Sequence, residues 1–173
     1  KVYIKNTKFD KLRVRLVESV KKHFRNETDE EKKYAVSFLE CVGSDESYRY
    51  MFLRAIQAKG PNTVIFTFGA DGCVGLCGDD YFEVPAFKVK AVDSTGAGDV
   101  FHGAYIYAWL QGWDAKTCCR FCSGVSAIKC TRPGGRSGIP TLPVLEKFLA
   151  TGEIDGAELD ERVRHYKYGL LNA

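Results

Sequence analysis

The chain has 173 residues, 45% apolar and 27% charged, a mixture that supports a packed core and excludes a disordered chain. At this length a single domain over residues 1–173 is expected. The formal net charge of +3 is too small to point to nucleic acid, and no window approaches the roughly 18 consecutive apolar residues of a membrane span, so neither partner is expected.

Seven cysteines, an odd number in a chain of ordinary domain size, argue against a secreted disulfide framework. No secretory signal is visible, so reduced thiols and a cytoplasmic location are expected. The chain opens on Lys1 rather than Met, as if something upstream had been removed or never included.

Charge is uneven, with residues 1–33 at net +5 and the remainder at −2. From Phe9 to Phe24, the apolar residues Leu12, Leu16, Val20 and Phe24 recur every four positions, predicting an amphipathic helix with a basic outer face. Two further helices are predicted, over about 29–41 and 45–59, the second closed by Gly60-Pro61. The period then changes. Thr63 to Phe68 is a short β-branched and aromatic run that reads as a strand buried on both faces. Gly69-Ala70-Asp71-Gly72 turns it into a returning strand, Cys73 to Cys77, and a further extended stretch is predicted from Glu83 to Val92.

A helix from about Ala97 to Gln111 ends at Gly112, and Asp114 is placed to cap the next, Ala115 to Cys130. A Gly- and Pro-rich loop from Thr131 to Pro140 leads to a helix over about 141–150, and residues 152–173 read as a polar appended helix. Strands alternating with helices give an α/β layered fold, a Rossmann-like sheet with flanking helices.

The sharpest chemical signal is the strand-to-helix turn Gly96-Ala97-Gly98-Asp99. Small residues let the backbone approach a ligand, and free N–H groups at a helix start, with the helix dipole, suit a phosphate or a developing anion. A carboxylate in that first turn would repel a bound phosphate, which makes Asp99 a candidate for taking a proton from a hydroxyl while the amides steady the transferred group. A purely structural reading also stands, since Asp in a first helical turn is favoured by capping and the dipole. The stretch fits neither a dinucleotide fingerprint, because Phe101 stands where the third Gly belongs, nor a Walker A loop.

Val92-Asp93-Ser94-Thr95-Gly96-Ala97-Gly98-Asp99-Val100-Phe101-His102-Gly103-Ala104 closely resembles the C-terminal signature of the ribokinase-like (PfkB) carbohydrate kinases. Thr67-Phe68-Gly69-Ala70-Asp71-Gly72 resembles the family's Thr-x-Gly-x-x-Gly turn, about thirty residues upstream of Asp99. Arg120 to Ser123, and Thr131-Arg132-Pro133-Gly134-Gly135 through Pro140, resemble the helix and loop that close its nucleotide site. The likeness covers Val64 to Leu149, roughly half of the chain.

The resemblance implies ATP-dependent phosphoryl transfer to a hydroxyl of a small carbohydrate, with Asp99 as general base and Gly96, Ala97 and Gly98 as the backbone anion hole. Thr67, Gly69 and Gly72 would meet the phosphates of ATP, and Ser123 would lie beside its adenine. Mg²⁺ would enter with ATP. Many members also hold a monovalent cation such as K⁺ through backbone carbonyls, and the matching positions are Asp93, Thr95, Lys129, Arg132, Gly134 and Gly138. Asn26-Glu27-Thr28-Asp29 resembles the family's Asn-x-x-Glu, which would give Asn26 a part in arranging metal and phosphates; a helix N-cap at Thr28 or Asp29 explains the same residues.

Family kinases run to about 300 residues, and their N-terminal half carries the first strands, a β lid and most of the sugar contacts. The chain thus reads as the C-terminal, nucleotide-binding portion of a ribokinase-like fold, without the N-terminal part and the lid. It would keep the ATP contacts and the base, lack a complete sugar site and turn over little by itself, and the full-length protein would form a homodimer. The alternative is a non-catalytic, nucleotide-binding or regulatory relative. Cys118, Cys119 and Cys122 share a helical face and read as buried packing thiols rather than zinc ligands. Tyr105, Tyr107, Trp109 and Trp113 read as core packing rather than a sugar platform.

Overall fold

The computed structural model describes residues 45–169. The helices predicted over 9–24 and 29–41, and Asn26 between them, lie outside the described residues. The chain divides into two compact units, Lys1–Ala55 and Ile56–Ala173. In the first, the described residues belong to helix α1 (Asp45–Gln57), where the Arg54 Nε donates to the Tyr50 hydroxyl one turn earlier, at 2.9 Å.

The second unit opens with three antiparallel strands, β1 (Thr63–Thr67), β2 (Cys73–Cys77) and β3 (Asp80–Val84), in the order β1-β2-β3. The predicted hairpin is present, with Thr67 opposite Cys73 and Thr63 opposite Cys77. β2 is the central strand and its first four residues are buried. β1 is only half-buried, with Val64 alone fully enclosed, because it forms an edge of the sheet among the described residues. The sequence pattern had suggested burial on both faces. Its β-branched and aromatic content reflects strand propensity instead.

Pairing also stops earlier than the extended pattern from Glu83 to Val92 predicts. β3 ends at Val84, immediately before Pro85, which has no N–H to donate to a ladder. The segment then crosses to the helical layer, where the amides of Val92 and Asp93 both donate to the Cys130 carbonyl, at 2.7 and 3.1 Å.

Four helices follow: α2 (Ala97–Leu110), α3 (Ala115–Cys130), α4 (Leu142–Thr151) and α5 (Ala157–Gly169). Asp114 caps α3 as the sequence implies, its carboxylate accepting the Thr117 amide at 3.0 Å. α3 is the central helix, packed against α2, α4, β2 and β3. Its buried face carries Cys118, Cys119 and Cys122, all without exposure, in one core with Phe82, Phe101 and Phe148. Burial pushes the Cys122 thiol up to about 12 and raises that of Cys118 as well, so both stay protonated packing groups.

Core packing holds for Tyr105 alone of the predicted aromatic set. Tyr107 stacks on Phe121 with ring centroids 5.7 Å apart and Trp113 meets it edge-on at 5.2 Å, but both remain exposed, at 42% and 38%. Trp109 does not join them and is 63% exposed beside Ile106 and Leu110. The helix is apolar on nearly all sides, so the sequence pattern alone does not say which face turns inward.

Candidate active site

Asp99 lies in the first turn of α2, and the turn that delivers it is made possible by glycine. Gly96 caps the helix at φ +74°, a left-handed conformation open to Gly and costly for residues with a Cβ. The Ala97 amide donates to the Ser94 carbonyl at 3.1 Å, and the Val100 amide to the Gly96 carbonyl at 3.0 Å. The amides of Gly96, Gly98 and Asp99 make no backbone hydrogen bond among the described residues and form the positive end of the helix. Of the three residues predicted to present amides, Ala97 is thus the one already engaged, and Asp99 adds an amide of its own. The Ser126 hydroxyl pins the turn onto α3 by donating to the Ala97 carbonyl at 3.1 Å.

The Asp99 side chain is exposed and makes no hydrogen bond or ion pair among the described residues. It lines a cavity of about 730 Å³ together with Thr95, Gly96, Gly135 and Arg136. The apolar part of the lining includes Tyr107, Phe121 and Leu145. A cap buried against its own helix would not look like this. The arrangement offers a free carboxylate and unpaired amides beside one space, with Arg136 in its lining.

Arg136 does not stand out in the sequence, where the Thr131–Pro140 loop draws attention for its backbone. It lines the cavity, and its guanidinium carbon lies 5.9 Å from the Tyr166 ring centroid. The available signal is a basic residue following the Gly134-Gly135 pair, in a loop resembling a nucleotide-site loop.

The Thr67–Gly72 turn is a single 3₁₀ turn, with Gly69 at φ +61° and Gly72 at φ +90°. A Cβ on Gly72 would lie 2.2 Å from the Val84 carbonyl oxygen, so close packing on β3 already requires glycine there. Thr67 and Gly69 are exposed, and none of these three residues lines the Asp99 cavity.

Ser123 is 9% exposed on the buried side of α3, where Cys119, one turn earlier, and Ser123 itself lower the Cys73 pKa. The cavity wall is supplied by Phe121 and Val125, a different stripe of the same helix. Ser123 does not line the Asp99 cavity.

The residues matched to a monovalent-cation site do come together, but around a cation the chain already carries. Lys129 is fully buried, and its Nζ donates to the Asp93 carbonyl at 2.9 Å. The Asp93 carboxylate accepts the Thr95 amide at 2.8 Å through Oδ1 and the Gly134 amide at 2.7 Å through Oδ2. Hydrogen bonds from Thr95 first, then from Gly134, with the Lys129 charge adding a smaller effect, hold the Asp93 carboxyl down to about 2. The Lys129 carbonyl accepts the Arg132 amide at 3.2 Å and lies so near Gly138 that a Cβ there would approach it to 2.3 Å. Arg132 points away, its Nε donating to Asp160 at 2.6 Å.

This donor set does not fit an additional monovalent ion. An ion sharing the Asp93 carbonyl would sit about 4 Å from the ammonium, where like charges repel by ~4 kcal/mol at an effective dielectric of about 20.

The pfkB family carbohydrate kinase pattern matches residues 51–142, just over half of the chain. A nucleoside kinase from Methanothermobacter thermautotrophicus is 34% identical over 99 residues, 57% of this chain and 32% of that protein. A solved E. coli structure assigned as a ribokinase II, in complex with ATP and Mg²⁺, aligns with a TM-score of 0.54 at 30% identity, over 65% of this chain and 35% of that one. A fructokinase double mutant from Vibrio cholerae, with fructose, ADP and potassium ion bound, gives a TM-score of 0.53 at 28% identity, over 65% of this chain and 37% of that one. The matched region thus spans about a third of each of these proteins, and the fold is that of part of a ribokinase-like α/β structure. The chain belongs to the pfkB family of carbohydrate kinases.

Proposed function

We propose that the chain is the C-terminal, nucleotide-binding portion of an ATP-dependent kinase acting on a hydroxyl of a small carbohydrate or nucleoside. The observation that carries this reading is the exposed, uncommitted Asp99 carboxylate in the first turn of α2, beside free amides and open to a cavity. A capping role does not account for this carboxylate, since among the described residues it accepts no hydrogen bond from the helix start.

In this reading Asp99 accepts the proton of the acceptor hydroxyl as its oxygen attacks the γ-phosphorus and the bond to the ADP oxygen breaks. The amides of Gly96, Gly98 and Asp99 point at the charge on the phosphoryl oxygens, with no reorganisation needed as it develops. Arg136, which also lines the cavity, adds a positive charge to it. Thr67, Gly69 and Gly72 meet the remaining phosphates of ATP, and Asn26 helps to order them. Ala97 supports the hole through its bond to Ser94 rather than with a free amide.

Among the described residues no cluster of three acidic, His or Cys side chains could hold a metal ion, which suits a Mg²⁺ carried chiefly by phosphate oxygens and water. When bound, that ion neutralises phosphate charge.

The test uses the full-length protein with Mg-ATP and a panel of pentoses, hexoses and nucleosides, following ADP release. Acceptor-dependent ADP formation is expected, together with stabilisation of ~2.7 kcal/mol when Mg-ATP reaches 100 times its Kd. The absence of both turnover with every acceptor and a thermal shift at millimolar Mg-ATP would overturn the reading.

A further inference from the structure

The buried ammonium of Lys129 is costly to place. Dehydrating a lysine side chain is tolerated only where carbonyl dipoles and opposite charge replace the lost water. The structure supplies both, on the segment that leads into the Gly96–Asp99 turn. The Asp93 carbonyl accepts the Nζ at 2.9 Å, and the Asp93 carboxylate, held ionised by the Thr95 and Gly134 amides, provides the compensating charge. Lys129 also stands in the last turn of α3, where free carbonyls make the helix end negative.

An ammonium group is a compact monovalent cation of about the size and charge of K⁺, and here it is tethered. Its position matters more than its presence. It grips the backbone of Asp93, from which the chain passes through Thr95 to the amides of Gly96 and Gly98. The Vibrio cholerae fructokinase was solved with a potassium ion. In the present chain, one of the carbonyls matched to such a site is taken by Lys129, and the Lys129 carbonyl itself is taken by the Arg132 amide.

We infer that the Lys129 ammonium is a built-in monovalent cation that fixes the Asp93–Gly98 segment, so that this protein neither binds nor needs K⁺ at that place. The inference rests on the proposed kinase reading for its catalytic consequence, but its structural part can be tested apart from turnover.

The experiment takes the full-length protein without nucleotide and compares melting temperatures in KCl, NaCl and tetramethylammonium chloride at equal ionic strength. Phosphoryl transfer is measured in the same three salts. For the wild type, the melting temperature and the rate are expected to be the same in all three. Lys129→Ala is expected to melt on the order of 10 °C lower in tetramethylammonium chloride, and K⁺ is expected to recover part of that loss. A K⁺-specific rise in the melting temperature of the wild type would overturn the inference, as would a folded Lys129→Ala that is indifferent to K⁺. If Lys129→Ala fails to fold in every salt, the wild-type comparison decides alone. A protein that is silent in catalysis yet indifferent to the salt defeats the kinase reading and leaves this one standing. A working kinase stabilised by K⁺ does the reverse.

Discussion

The Asp93 carboxylate accepts the Gly134 backbone amide at 2.7 Å across 41 residues of sequence, tying the segment before α2 to the loop after α3. Its other oxygen holds the Thr95 amide at 2.8 Å. One side chain thereby ties Thr95, which lines the cavity, to the residue before Gly135, which also lines it.

The tie has a pH signature. The hydrogen bonds from Thr95 and then Gly134 lower the folded-state pKa of Asp93 to about 2, against ~3.9 for an unperturbed Asp. A lowered folded pKa contributes stability that is fully present above the unfolded value and is lost as pH falls through the folded one. Urea unfolding of the wild type and Asp93→Asn should therefore differ most above pH 4, and the difference should shrink between about pH 4 and pH 2. A difference that stays constant over that range would remove Asp93 from the account.

Asp114 makes a separate, local contribution. Its carboxylate accepts the Thr117 amide at 3.0 Å and the Thr117 hydroxyl at 2.5 Å, and those bonds lower its pKa. Asp114→Ala should cost ~1 kcal/mol in chemical denaturation, the usual loss for an N-cap, without a change in substrate affinity.

Gly138 is required by the backbone it touches. A Cβ would approach the Lys129 carbonyl oxygen to 2.3 Å, and main chain cannot move aside as a side-chain tip can. Gly138→Ala should destabilise the protein by about 1–3 kcal/mol, the range for overpacking. A melting temperature equal to that of the wild type would show that the loop is looser than described.

Much of this was legible in the sequence because it depends on local rules. Asp114 before a helix, Gly112 after one, the Gly69–Gly72 turn and the start of α2 at Ala97 each carry their own signal within a few residues. What escaped depends on direction in space. Ser123 and Val125 are two positions apart on α3, and only packing decides that the first is buried away from the cavity lining while the second belongs to it. The same holds for Trp109, exposed on a helix that is apolar on nearly all sides, and for Arg136, whose place in the cavity lining follows from the fold of a loop. Lys129 is the clearest case. Its carbonyl was legible as a family position, but the inward course of its side chain was not.

The most direct measurement is the turnover number of the full-length protein carrying Asp99→Asn, with the acceptor found for the wild type. The residue is exposed and ties no element together, so the melting temperature should change little. The predicted result is a kcat lower by ~10²–10⁴-fold, the usual contribution of a positioned general base, while Mg-ATP still stabilises the protein. An undiminished kcat would contradict it.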